Sequence, residues 1–141
     1  MWVIGGYSLG QFRNDVWYSE NGTTWTRATL HAAWSGRSGH AAVVHDGKMW
    51  VLGGYNLGDV WYSSDGVKWT SATMAAGWRP TETVAGVSFL NKLWLINGFG
   101  AWCTSDGTNW TTATSPAPWG GPYYPVYRRE GIKAVACGGR I

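Results

Sequence analysis

Twelve tryptophans fall into four columns of three. Trp2, Trp50 and Trp94 make one column; Trp17, Trp61 and Trp102 the next. Trp25, Trp69 and Trp110 form the third, and Trp34, Trp78 and Trp119 the fourth. One supersecondary unit therefore recurs three times, at a period of 41 to 48 residues. Units of that length cannot bury their apolar faces alone and stack on one another.

The second unit shows what is repeated. His40 to His45 reads as a strand, Asp46-Gly47 turns, and Met49 to Leu52 is a second strand ending at Gly53-Gly54. After a loop come Val60-Trp61-Tyr62-Ser63, a turn at Asp65-Gly66, and Lys68 to Ser71. Asp-Gly or Asn-Gly between β-rich runs is a hairpin signal, because a type I′ turn needs positive φ at both central residues. The pair recurs as Asn21-Gly22, Asp65-Gly66 and Asp106-Gly107. The other hairpin turns at Asp46-Gly47, with Asn91-Lys92 and Glu130-Gly131 as its later equivalents. Each unit is thus four antiparallel strands, a to d. With 21 glycines and 16% aromatic residues the composition is that of tight-turned strands, and no apolar stretch keeps a 3.6-residue period beyond two turns.

The double glycine closing strand b, the Val-Trp-Tyr of strand c, the strand d tryptophan and the Arg37-Ser38-Gly39-His40 lead-in resemble the kelch repeat of six- and seven-bladed propellers. The Ser63-x-Asp65-Gly66-x-x-Trp69 hairpin is similar to the Asp-box of sialidase-type propellers; Thr104-x-Asp106-Gly107-x-x-Trp110 matches it, and Ser19-x-Asn21-Gly22-x-x-Trp25 does so with Asn. The resemblance implies an all-β, kelch-like β-propeller. In it Gly53, Gly54, Trp61, Asp65, Gly66, Trp69, Asp106, Gly107 and Trp110 are structural. Indoles would fill the wedge between blades, each burying up to about 150–250 Å².

The ends fall inside units. Residues 1–29 read as strands b-c-d, 39–73 and 84–114 as complete blades, and 123–141 as strands a-b. Thirteen strands make a little over three blades, whereas closed propellers begin at four. The expectation is a piece of a longer protein or a truncated reading frame. Open edges and apolar faces then imply self-association.

Chemistry is sparse. Asp46, Asp65 and Asp106 fall in turns, Glu130 in a turn equivalent, Asp15 and Asp59 just before strand c, and Glu20 beside a turn; only Glu82 lies outside the pattern. A glycosidase needs two facing carboxylates, and nothing selects a pair. The arginine motif of sialidases near the first blade is absent. His40 and His45, on one strand, point to opposite faces, and His31 lies in the preceding loop, so no metal site of the galactose-oxidase kind is built. Neither catalytic residue, metal nor cofactor is expected. Cys103 and Cys137 occupy core-type positions and read as buried free thiols, with a disulfide only if neighbouring blades bring them together. A formal charge of +3, scattered, does not argue for nucleic acid, and no run reaches a membrane-spanning length.

Recognition is therefore expected at the end where b–c and d–a loops emerge. The first b–c loop, residues 7–14, reads as longer by four residues and carries Phe12 and Arg13. The d–a loops hold Trp34 with Arg37, Trp78 with Arg79, and Trp119 with Tyr123 and Tyr124. Arg13, Trp34, Arg37, Trp78, Arg79, Trp119, Tyr123 and Tyr124 are the candidate binding residues, for a protein or a glycan. The reading is a non-catalytic propeller segment, with an extracellular or cell-surface setting favoured. The alternative is a fragment of a sialidase-like or galactose-oxidase-like enzyme whose catalytic residues lie elsewhere.

Overall fold

A computed structural model describes residues 1–119, 131–137 and 139–141. Among these residues eleven strands form three antiparallel sheets, and no helix is long and apolar enough to cross a membrane. The first sheet has three strands, β1 (Trp2–Ser8), β2 (Gln11–Tyr18) and β3 (Thr26–Thr29). The second has β4 (Ala41–His45), β5 (Lys48–Gly54), β6 (Leu57–Ser63) and β7 (Thr70–Thr73). The third has β8 (Ala85–Phe89), β9 (Lys92–Ile96), β10 (Ala101–Thr104) and β11 (Thr111–Thr114). Each is an up-and-down meander, so the all-β reading holds and the sheets are blade-like.

The seams between sheets are where the indoles sit. Trp34 meets Trp69 edge-on at 5.7 Å between ring centroids, and Trp78 meets Trp110 at 4.8 Å. In both pairs the ring following one sheet's last strand stands against the next sheet's c–d loop, an arrangement worth about 0.5–1.5 kcal/mol beyond area burial. Val16, Met49, Val51 and Ile4 complete the first seam; Leu52, Val60, Leu93, Leu95 and Phe99 complete the second. The strand b tryptophan of one sheet also lies over the c–d glycine of the next. A Cβ on Gly66 would overlap the Trp2 ring, and one on Gly107 the Trp50 ring. Only glycine leaves room for an indole there.

Several turns differ from expectation, each for a local reason. The c–d connections are not two-residue type I′ turns: Gly22, Gly66 and Gly107 have positive φ, but Asn21, Asp65 and Asp106 do not. Instead the side chain closes a longer loop. The Asp65 carboxylate accepts from the N–H groups of Val67 and Lys68, both at 2.8 Å, while Ser63 Oγ accepts from Gly66 N–H at 2.8 Å. Asp106 repeats this with Thr108 and Asn109, and Asn21 with Thr23 and Thr24. Such Asx bonding fixes a turn without requiring φ > 0 at the Asp. The turn expected at Asn91-Lys92 is at Leu90-Asn91, since Phe89 pairs with Lys92.

The long first b–c loop is also absent. β1 and β2 continue as a ladder to the Ser8–Gln11 pair and reverse at Leu9-Gly10, both with positive φ. What was read as loop is a protruding hairpin arm. The double glycines mark register shifts in β1 and β5, with φ of 56° at Gly53 and 120° at Gly54.

Strand a expected after residue 123 lies largely outside the described residues. Residues 131–137 carry no ladder; Cys137 makes a lone bridge to Arg140. Both cysteines are free thiols. Cys103 is buried in β10, but Cys137 is exposed and lies in no strand among the described residues.

Candidate binding face

The b–c turns and d–a loops meet at one end of the sheets. Backbone bonds tie them: Gly6 N–H to Arg37 O at 2.8 Å, Tyr55 N–H to Ser38 O at 2.9 Å, Asn56 N–H to Thr81 O at 3.1 Å. Arg37, expected to reach a partner, is instead fully buried. Its guanidinium grips both carboxylate oxygens of Asp59, each at 2.8 Å, and donates to Gly53 O at 2.9 Å and Ser35 O at 3.1 Å. Trp61 Nε1 donates to the same carboxylate at 2.7 Å. The d–a loop is thereby buckled to strands b and c of its own sheet. Burial alone would raise the Asp59 pKa, but the bonds from Arg37 and Trp61 and the arginine charge outweigh it and hold it below the ordinary value.

His40 lies against this buckle, between Gly5 and Gly54. Burial, then the Arg37 charge, lower its pKa to about 4, so it is neutral at physiological pH. His31 pairs with Asn14 Oδ1 and His45 with Ser88 Oγ, so the three histidines do not converge. Among the described residues no group of three or more His, Cys, Asp or Glu side chains gathers in metal-binding geometry.

The fourth tryptophan column belongs to the seams too. Trp34 and Trp78 are 1% and 4% exposed, too buried to touch a partner. Trp119 is half-buried and donates from Nε1 to Asn97 O at 3.1 Å. Arg13 is half-buried, its Nε bonded to Ser8 Oγ at 2.8 Å across the hairpin arm. Arg79 is exposed and lies over the Phe99 ring at 4.3 Å. Tyr123 and Tyr124 lie outside the described residues.

The residues that do face solvent were mostly not candidates. Tyr7, Phe12 and Tyr55 form a contiguous aromatic ridge, with ring centroids 5.1 and 5.6 Å apart, running from the β1–β2 arm onto the β5–β6 turn. They are 60%, 44% and 45% exposed, and Leu9 at the arm's tip is 93% exposed. Phe12 was visible in the sequence as an unmatched aromatic. Tyr7 and Tyr55 follow the double glycine in both units, which is the signal that could have found them.

The fold and these residues can now be set beside known proteins. Residues 36–65 match the Kelch motif, a span holding the double glycine, the Arg37–Asp59 buckle and the start of the c–d loop. No curated protein matches the chain. That match lies in the second unit, and the three blade-like antiparallel sheets are consistent with kelch-type repeats forming part of a β-propeller.

Proposed function

We propose that this propeller segment is a non-catalytic scaffold that binds a protein through the end where its b–c turns and d–a loops meet. Kelch repeats generally mediate protein interaction, and such scaffolds are usually non-catalytic. The single observation that carries the reading is the Tyr7–Phe12–Tyr55 ridge with Leu9 beside it. Exposed aromatic rings in a contiguous patch mark interaction surfaces, and aromatic anchors dominate binding energy when a partner covers them.

A glycan was the other candidate ligand. Sugar hydroxyls need fixed polar partners beside the ring, and Arg13 and Asn14, which follow Phe12 in β2, are committed elsewhere. Arg13 is spent on Ser8, and Asn14 Nδ2 donates to Ala32 O and Trp34 O. The ridge therefore suits apolar protein side chains better than hydroxyls. Arg79, Tyr123 and Tyr124 remain the proposed rim contacts.

The test uses peptide and glycan arrays probed with the wild-type chain and with Phe12→Ser/Tyr55→Ser. Binding to apolar peptides that the double variant loses, with its melting temperature unchanged, supports the proposal. Retention of glycans alone, or signals the double variant keeps, refutes it.

A further inference from the structure

Each c–d loop sets a glycine directly after an asparagine or aspartate: Asn21-Gly22, Asp65-Gly66 and Asp106-Gly107. Asn21, Asp65 and Asp106 are all exposed, so water and base reach them. Such a pair carries chemistry of its own. With no Cβ on the second residue to block the approach, the glycine nitrogen can attack the preceding side-chain carbonyl and close a succinimide ring. At an asparagine the nitrogen gives its proton to base, the N–Cγ bond forms, and the Cγ–Nδ2 bond breaks to release ammonia. Water then opens the ring at either carbonyl and leaves aspartate or isoaspartate.

In the folded loop one hydroxyl holds both reactants. Gly22 N–H, the nucleophile, donates to Ser19 Oγ at 2.8 Å, and the Ser19 hydroxyl donates to Asn21 Oδ1 at 3.3 Å. Thr23 N–H and Thr24 N–H, each at 2.9 Å, and the Thr23 hydroxyl at 3.0 Å donate to the same carbonyl. The Ser19 bond fixes the peptide plane from which Gly22 would attack, and the donors fix the side chain it would attack. Units two and three keep the lock: Gly66 N–H donates to Ser63 Oγ at 2.8 Å, and Gly107 N–H to Thr104 Oγ1 at 3.0 Å. There, however, the attacked group is a carboxylate. The bond from Lys68 N–H holds Asp65, and the bond from the Asn109 side chain holds Asp106, below the ordinary carboxylate range, so both stay ionised and are poor electrophiles. Of the three loops, unit one alone carries the reactive amide.

We propose that Asn21-Gly22 is a self-modification site gated by Ser19: the amide converts to an acid when the Ser19–Gly22 bond opens and is kept while that bond is closed. The aspartate product has the group its sister loops already use, accepting from Thr23 and Thr24 as Asp65 does from Val67 and Lys68. Those bonds then become charge-assisted and stronger. The isoaspartate product routes the main chain through the former side chain and dismantles the loop. One opening event therefore fastens or unfastens the c–d turn, and either product adds a negative charge there.

The test incubates the chain, its Ser19→Ala variant and the urea-unfolded chain at mildly alkaline pH. Conversion at position 21 is followed by peptide mass mapping, and isoaspartate by enzymatic methylation. Position 21 should convert several-fold faster in folded Ser19→Ala than in the folded wild type. Ser19→Thr, which supplies the hydroxyl of unit three, should restore the slow rate. Asn97, fully buried before Gly98 and outside the c–d loops, is the internal control and should convert equally slowly in all the folded chains. If Ser19→Ala does not fold, the wild type decides alone. Its position 21 should then be slowed, relative to the unfolded chain, by at least the factor by which hydrogen exchange of the Gly22 amide is slowed. Equal or slower conversion in folded Ser19→Ala, no rescue by Ser19→Thr, or a folded wild type that converts faster than its Gly22 opening allows overturns the proposal.

Discussion

Units two and three build the same junction in two different ways. In unit two the d–a loop is buckled by Arg37 to Asp59 and to Gly53 O. In unit three the equivalent positions are Thr81, Gly100 and Asn97. Both charged partners are lost together, and Asn97 takes over. Fully buried, it donates from Nδ2 to Arg79 O at 3.1 Å and accepts at Oδ1 from Phe99 and Gly100 N–H. A neutral amide thus ties the d–a loop to the b–c connection that an ion pair ties in unit two. The two solutions leave different remainders. With Arg37 on Gly53 O, Trp78 Nε1 is buried without a partner, whereas Asn97 O accepts from Trp119 Nε1. The lesson is that a repeat conserves a connection, and that the chemistry making it is replaceable only as a set.

Breaking the ion pair one side at a time should have the largest effect. Arg37→Ala leaves the Asp59 carboxylate without its counter-charge, and removing one partner of a buried pair costs about 3–5 kcal/mol. Chemical denaturation should show that loss, while Arg37→Thr/Asp59→Gly, which copies unit three, should lose less than the single variant. A double variant as unstable as Arg37→Ala would show that the charge left behind is not the cause.

Acid should separate the units next. His40 stands where unit three has Val84. Its pKa falls from 6.5 unfolded to about 4 folded, so between those values the unfolded chain binds more protons. Its contribution is full above pH 6.5 and is lost as pH falls toward 4, by at most about 3 kcal/mol. Asp59, also lowered, adds a further loss below its ordinary value of 3.8. Stability measured from pH 7 to 4 should fall in the wild type and be flatter in His40→Gln.

In unit three, Asn97→Ala removes an acceptor for two buried N–H groups and should cost about 1–3 kcal/mol with no such pH dependence. Thermal melts at pH 7 and pH 5 check both statements. Smallest of all, Phe12→Ser on the exposed ridge should change stability by no more than about 0.5 kcal/mol. A larger loss would mean the ridge is holding the fold together and is not a free surface.

Much of the architecture was legible because packing an indole between sheets needs the same residue at the same place each time. Trp17, Trp61 and Trp102 mark strand c and Trp69 and Trp110 the c–d loops, and periodicity alone locates them. The turns were less legible. Leu9 and Leu90 adopt φ of 50° and 48°, which residue type does not announce. The fate of Arg37 was hidden for another reason: its partner is 22 residues away, and a single charge in a loop looks the same buried or exposed. The clue was the joint disappearance of Arg37 and Asp59 in unit three, seen only by aligning the units on each other. Trp34 and Trp78 looked like ligand platforms because they sit beside arginines; the T-shaped contacts across each seam explain their recurrence instead.

Solvent exchange of the twelve indole N–H groups, followed by NMR with each peak assigned by Trp→Phe replacement, tests most directly whether these rings lie between stacked sheets. Trp34, Trp50, Trp69 and Trp78 should exchange slowly and Trp2 much faster, although Trp2 and Trp50 share a column. Uniformly fast exchange, or Trp2 protected as strongly as Trp50, would contradict the seam packing on which the fold rests.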